Sequence, residues 1–149
     1  DAARAASPAS GSATRARELL ADGALDRRAG LARQILDAAG SDRFEAMSQA
    51  AATLAQHKDD LLPTLEWVAL FYRDAAACAA GVGWDKWNFQ DQADQIQKQA
   101  TRQPRPAAWA RRAQHVLVAQ TRILRFANVQ LTLEEMMLSL SSSGGSPSV

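Results

Sequence analysis

Hydrophobic positions along this chain recur at intervals of three and four residues, which is the spacing of amphipathic helices. One such stripe runs from Leu25 to Ala39, and Gly40 suits the end of that helix. A second stripe begins at Phe44, only a few residues later. Because short connections join antiparallel neighbours, the pattern predicts a helical hairpin over this part of the chain.

The segment from Leu61 to Ala80 has a different pattern, because apolar side chains surround most of the helix. Leu65, Trp67 and Phe71 are prominent among them. A helix that is apolar nearly all round is a buried one, so we expect this helix to lie at the centre of the fold. Pro63 is tolerated only in the first helical turn, which places the helix start close to Leu62.

The hydrophobic pattern of residues 111–140 predicts one long helix, a tight turn at Asn128 and a shorter apolar helix. Asn128 can cap the second helix. One face of the long helix is apolar and the opposite face carries Arg111, His115, Arg122 and Arg125. The large apolar residues of the central helix and of this pair are the predicted core: Trp67, Phe71, Ile123, Leu124, Met136 and Met137.

These patterns define an all-α fold, a bundle of about six helices. Hydrophobic residues make up 47% of the chain, largely as the good helix former alanine, and runs of strand-forming residues are absent. We expect residues 1–22 to be a loose N-terminus with the end of a preceding domain. Residues 23–140 are the predicted bundle, and residues 141–149 a disordered tail rich in serine and glycine.

Charge is unevenly distributed although the formal net charge is only +1. Between Gln95 and Leu133 there are seven basic residues and no acid, so the rest of the chain carries a net negative charge. This asymmetry favours an oriented encounter with a charged partner.

Residues that carry catalysis are missing from the sequence. There is no phosphate-binding glycine loop, and neither His57 nor His115 has metal-ligand spacing. No serine, nor the single cysteine Cys78, has a recognisable base, and the adjacent Asp59 and Asp60 suit a helix start. We therefore predict no catalytic residue, no cofactor, no metal and no small-molecule ligand. Cys78 fits a reducing cytoplasm, and no apolar run reaches the roughly 20 residues of a membrane span.

The segment RFANVQLTLEEMMLSL resembles the end of the delta-prime subunit of the bacterial DNA polymerase III clamp loader. Asn128, Leu131, Leu133 and Glu134 fall on the pattern of that family. Phe126 and Val129 depart from it, since Asn and Pro are usual there. The segments GSATRARELL and 67–74 are similar to the end of the lid and to a collar helix of the same family.

This resemblance implies a non-catalytic collar domain, excised from a longer bacterial, cytoplasmic and nucleoid-associated protein. Its implied partners are the sister subunits gamma/tau and delta, which join through their collars into a ring. DNA would be contacted only indirectly, and no membrane is involved. The collar of gamma/tau is an open alternative to that of delta-prime.

Six residues are candidates for an interface: Arg111, Arg122, Arg125, Asn128, Trp84 and Trp87. The two tryptophans either mark a partner surface or cover the open end of the bundle. The arginines support an alternative function, a nucleic-acid-binding bundle, although no aromatics interleave with them. A helical adaptor of another system is a third possibility.

Overall fold

The computed structural model describes residues 23–143 of the 149-residue chain. Six α-helices and no strand are found in that range, which confirms the predicted all-α bundle. The helices, in chain order, are α1 Ala24–Ser41, α2 Phe44–Gln56, α3 Leu61–Ala79, α4 Ala93–Arg102, α5 Pro106–Leu124 and α6 Val129–Ser143. Two short 3₁₀ helices, Trp84–Lys86 and Gln90–Gln92, lie between α3 and α4.

Helix α3 is the centre of the bundle, as its apolar pattern predicted. It packs on α5, α4 and α1, and its contact with α5 is the most extensive in the fold. The Tyr72 and Trp109 rings stack at 5.9 Å, and at the other end Gln120 Nε2 donates to the Leu62 carbonyl oxygen at 3.3 Å. These two contacts make α3 and α5 antiparallel neighbours.

Helix α6 closes the bundle by packing on α5, α2 and α1. Met136 and Met137 are buried on it, with 3% and 0% exposure. At its far end, Ser141 Oγ donates to an Asp42 carboxylate oxygen at 2.7 Å, so α6 ends beside the α1–α2 turn. The helix continues to Ser143, three residues beyond its expected end at Leu140.

The connection between α3 and α4 enters the core. Phe89 is 1% exposed and stacks on Trp67 with ring centroids 5.6 Å apart. Buried Asp74 holds this connection, since its carboxylate accepts from Asn88 N, Asn88 Nδ2 and Phe89 N at 2.8–2.9 Å. Burial raises the pKa of Asp74, and these three hydrogen bonds oppose the rise.

The predicted core needs one correction, at Leu124. Its side chain is 63% exposed, whereas Trp67 and Phe71 are 4% exposed each and Ile123 is partly buried against the core. Leu124 is the last residue of α5, so no further turn of that helix surrounds it. The aromatic partner of Trp67 is Phe89 of the connection.

Asp60 has a different role from the helix cap that its position suggested. It precedes α3 but makes no side-chain capping bond. Its carboxylate instead accepts from Arg27 Nε and Nη2 and from Arg28 Nε, at 2.5, 3.3 and 2.9 Å. Burial would raise the pKa of Asp60, but these hydrogen bonds and charges outweigh it and lower the pKa. The hydrogen bonds between Asp60 and these two arginines therefore connect the start of α3 to the beginning of α1.

The expected end of a lid domain in residues 1–22 lies outside the described residues, as do residues 144–149 of the expected tail. None of the described helices combines the length and the apolarity that crossing a membrane requires.

Candidate functional site

The turn between α5 and α6 has the hydrogen bonds of a Schellman motif. Phe126 N–H donates to the Ile123 carbonyl and Ala127 N–H to the Arg122 carbonyl, both at 3.0 Å. Asn128 then caps α6 as predicted, because its Oδ1 accepts from Leu131 N–H at 2.9 Å. Each of the two helix ends thus has capping hydrogen bonds.

Phe126 is an unusual residue for its place in this motif. Its backbone is left-handed, with φ of 64°, where glycine or asparagine is the ordinary choice. A left-handed conformation costs about 1–2 kcal/mol in a residue with a β-carbon. Its side chain is 97% exposed, so contacts inside the described chain do not offset this cost. Backbone strain and exposed apolar side chains are both found preferentially at functional and binding surfaces.

An exposed surface with an apolar character extends from Phe126 along both helices. Arg122 Nη1 and Glu135 Oε2, 2.5 Å apart, hold the exposed sides of α5 and α6 together. Val118 lies one turn before Arg122, and Leu131 and Leu138 lie one turn on either side of Glu135. These three apolar residues are 46–52% exposed. We call this surface the hairpin face: Val118, Arg122, Phe126, Leu131, Glu135 and Leu138.

The predicted basic stripe is exposed, but it is not a row of unpaired charges. Arg111, Arg122 and Arg125 all lie on the surface of α5 or just after it. Arg122 is paired with Glu135, so one of the three positive charges is already matched. An exposed pair of this kind contributes at most about 1 kcal/mol, which leaves Arg122 able to exchange its partner.

The two candidate tryptophans have different environments. Trp84 is 55% exposed on the connection between α3 and α4. Trp87 is only 5% exposed, and its indole N–H donates to the Val82 carbonyl oxygen at 3.1 Å. Trp87 was a candidate for an interface, but it matches the other alternative given for the tryptophans, because the connection folds back and buries it against the bundle. Trp84 lies between α3 and α4, whereas the hairpin face is formed by α5, α6 and the turn between them.

In the sequence, Phe126 stands out only as a departure from a family pattern. That departure was itself the available signal, because an aromatic residue replaced the asparagine that favours a left-handed turn. Leu131 was recognised on the same pattern, whereas Val118 and Leu138 belong to the hairpin face only because the Arg122–Glu135 pair joins the two helices. Within residues 23–143 there is no group of three metal-ligating side chains placed to hold an ion.

Comparison with known proteins identifies the family. A family model described as DNA polymerase III, delta subunit, C terminal matches residues 23–142.

The chain belongs to this family.

It is thus a clamp-loader C-terminal domain, as the resemblance of its last helices indicated. Searches among curated proteins and among solved structures returned no match. The match covers all six described helices but for the last residue of α6, so the bundle is the family's domain.

Proposed function

We propose that this domain is a non-catalytic assembly module that joins its subunit to sister subunits of the clamp loader through the hairpin face. Phe126 carries this proposal, because its backbone is in the left-handed conformation and its side chain is exposed. The conformation has a free-energy cost in the isolated domain, and burial of the ring by a partner would offset that cost. Burial of apolar side chains drives most protein association, and aromatic residues are frequent anchors.

The module is of the delta-prime type in this proposal, with gamma/tau and delta as its partners. Asn128, Leu131, Leu133 and Glu134 support the delta-prime assignment through their place in the terminal segment. A bacterial cytoplasmic location beside the nucleoid, without enzymatic activity of the domain itself, accords with a clamp-loader component. DNA contact is indirect in this proposal, because Arg122, one of the three exposed arginines, is already paired with Glu135.

Replacing Phe126 by asparagine tests the interface without a cost to the fold. Asparagine tolerates the left-handed turn, so Phe126→Asn should leave the domain as stable or make it up to about 1 kcal/mol more stable. It removes the exposed ring, so capture of purified gamma/tau and delta subunits should fall at least about tenfold, as for a central aromatic anchor. Size-exclusion chromatography and a quantitative pull-down measure these effects.

Trp84→Ala is the matched control, since it removes another exposed aromatic residue outside the hairpin face. It should leave capture of the sister subunits unchanged. If Phe126→Asn and Leu131→Gln both retain full capture, the hairpin face is not the interface. If the arginine variants Arg111→Gln and Arg125→Gln lose DNA binding instead, the nucleic-acid function replaces the assembly function.

A further inference from the structure

Arg112 lies in the first half of α5 and does not belong to the hairpin face. Its guanidinium carbon is 4.5 Å from the centre of the Trp109 ring and 6.0 Å from that of Tyr72. These two rings stack on each other, and the Trp109 indole N–H donates to the Gln103 carbonyl oxygen at 2.7 Å. The planar donor group of Arg112 is therefore held in one orientation by a rigid aromatic support.

This positive charge has no anionic partner in the described chain. Its Nε is buried without a hydrogen-bond acceptor, and no described carboxylate forms an ion pair with Arg112. Burial lowers the pKa of the guanidinium, while Tyr72 opposes that change. A partly buried charge that is unpaired is costly, so an anion that reached Arg112 would remove an existing cost.

A cavity of about 370 Å³ opens beside Arg112, between the end of α1 and helices α3, α4 and α5. Its volume lies in the range of about 300–1,000 Å³ that is typical of ligand sites. Aromatic and aliphatic side chains form part of the lining, and side-chain amides of α4 and of the residue after it are among its polar groups. We call it the Arg112 cleft, after its principal cation; other lining residues are Leu36, Phe71, Trp109, Gln95, Gln99 and Gln103.

The charged residues around the cleft favour a ligand with a single negative charge. Arg102 and Arg112 line it together with one carboxylate, Asp37. Two cations and one anion leave one positive charge unmatched, which suits a carboxylate better than a doubly charged phosphate. The planar arginine fork also fits a carboxylate in two parallel hydrogen bonds. The glutamine amides offer both donors and acceptors, which a peptide backbone needs.

We propose that the Arg112 cleft binds the carboxylate of an acidic side chain presented by a peptide segment of a partner protein. Arg112 holds the carboxylate, Arg102 contributes a second positive charge, and the aromatic lining contacts the neighbouring apolar part of the segment. None of the residues of the hairpin face lines the cleft, and Val118, the residue of that face nearest to Arg112 along α5, lies about 9 Å further along the helix. The cleft is therefore a second contact point, independent of the hairpin face and of the proposed assembly through it.

The test uses N-acetyl-L-glutamate N-methylamide as the probe, titrated into the full chain at constant ionic strength. Nuclear magnetic resonance follows the Nε–H signal of Arg112 and the indole N–H signal of Trp109. We expect saturable, millimolar shifts of both signals with this probe. The glutamine analogue, which differs only in lacking the carboxylate, should cause no saturable shift. Inorganic phosphate should bind more weakly than the glutamate probe.

Variants locate the site. Arg112→Gln should abolish the shift of the Trp109 signal, whereas its exposed neighbour Arg111→Gln should leave probe affinity unchanged. Arg102→Gln changes an exposed residue and should weaken the probe several-fold, which keeps the test valid if Arg112→Gln fails to fold. Phe126→Asn should have no effect on the probe.

Three results would overturn the proposal. The glutamine analogue could shift the same signals equally, phosphate could bind more tightly than the carboxylate, or Arg111→Gln could abolish binding as fully as Arg112→Gln. The first result would mean an apolar site without charge recognition. The second would favour a nucleic-acid or phosphate ligand, and the third a diffuse electrostatic effect of α5.

Discussion

Asp60 shows how a single carboxylate joins two helices of the bundle. Its oxygens accept from Arg27 and Arg28 of α1, while its backbone precedes α3. The hydrogen bonds and positive charges of the two arginines outweigh the effect of burial and lower the pKa of Asp60 below its usual 3.8. A lowered pKa means that folding favours the ionised form, so the contribution of this group to stability depends on pH.

Asp60→Asn should cost about 1.5–3 kcal/mol at neutral pH, the value of hydrogen bonds to a charged group. Because the folded pKa is lowered, the contribution of Asp60 is complete above the unfolded pKa and is lost as pH falls through the folded pKa. The difference in unfolding free energy between the wild type and the variant should thus shrink below about pH 4. Urea unfolding at a series of pH values measures it.

Asp59→Asn is the control for this prediction, since Asp59 is adjacent but exposed. It should change stability by no more than about 0.5 kcal/mol at neutral pH. Burial raises the pKa of Asp74, so Asp74 changes the stability of the wild type with pH in the direction opposite to Asp60. The test therefore compares the wild type with each variant at the same pH, so that the effect of Asp74 cancels. A difference for Asp60→Asn that stays constant down to acidic pH would contradict the ion-pair interpretation.

At the scale of the element, the connection between α3 and α4 is organised by Asp74. Three N–H groups of Asn88 and Phe89 converge on one carboxylate, which positions Phe89 against Trp67. A segment without an α-helix thereby contributes Phe89 to the core. Helix α3 thus positions the connection through its polar residue as well as through its apolar ones.

Asp74→Asn should destabilise the domain by about 2–3 kcal/mol, because an amide has one acceptor oxygen and brings its own donors toward three N–H groups. Urea unfolding followed by far-ultraviolet circular dichroism measures the loss. The neighbouring Arg73 is exposed, so Arg73→Gln should change stability by no more than about 0.5 kcal/mol. Equal effects of the two substitutions would show that the connection does not depend on Asp74.

The same element explains why Trp67 matters for stability. Trp67→Ala removes a ring that is 4% exposed and stacked on Phe89, which should cost about 3–5 kcal/mol or unfold the domain. Trp84→Ala removes an identical side chain that is 55% exposed and should cost no more than about 0.5 kcal/mol. Circular dichroism during urea unfolding compares them, and similar midpoints for both variants would contradict the assigned core.

At the scale of the whole molecule, helical periodicity predicted the bundle because each helix shows its buried face within its own sequence. The same periodicity could not place Leu124, since a helical wheel gives the direction of a side chain but not whether a neighbouring helix covers it. It could not give the stacking of Phe89 on Trp67 either, because that contact depends on Asp74 in another element. The exposed face of α6 became recognisable only through its ion pair with α5.

Assembly through an apolar surface and binding of DNA should respond differently to salt, because DNA binding would depend on the charge distribution of the whole molecule. The basic residues between Gln95 and Leu133 give one part of the chain a positive charge, although the net charge is only +1. Binding of DNA through such residues releases counterions and weakens steeply with salt, whereas burial of apolar residues such as Phe126 does not.

Raising sodium chloride from about 50 mM to about 500 mM should therefore leave capture of gamma/tau and delta subunits within roughly twofold, while any retention on DNA should disappear. The matched variant Phe126→Asn should lose subunit capture at both salt concentrations, because its defect is the missing ring. Parallel pull-downs with immobilised subunits and immobilised duplex DNA provide the measurement. If subunit capture instead falls with salt as steeply as DNA retention, the exposed arginines and not Phe126 provide the binding energy.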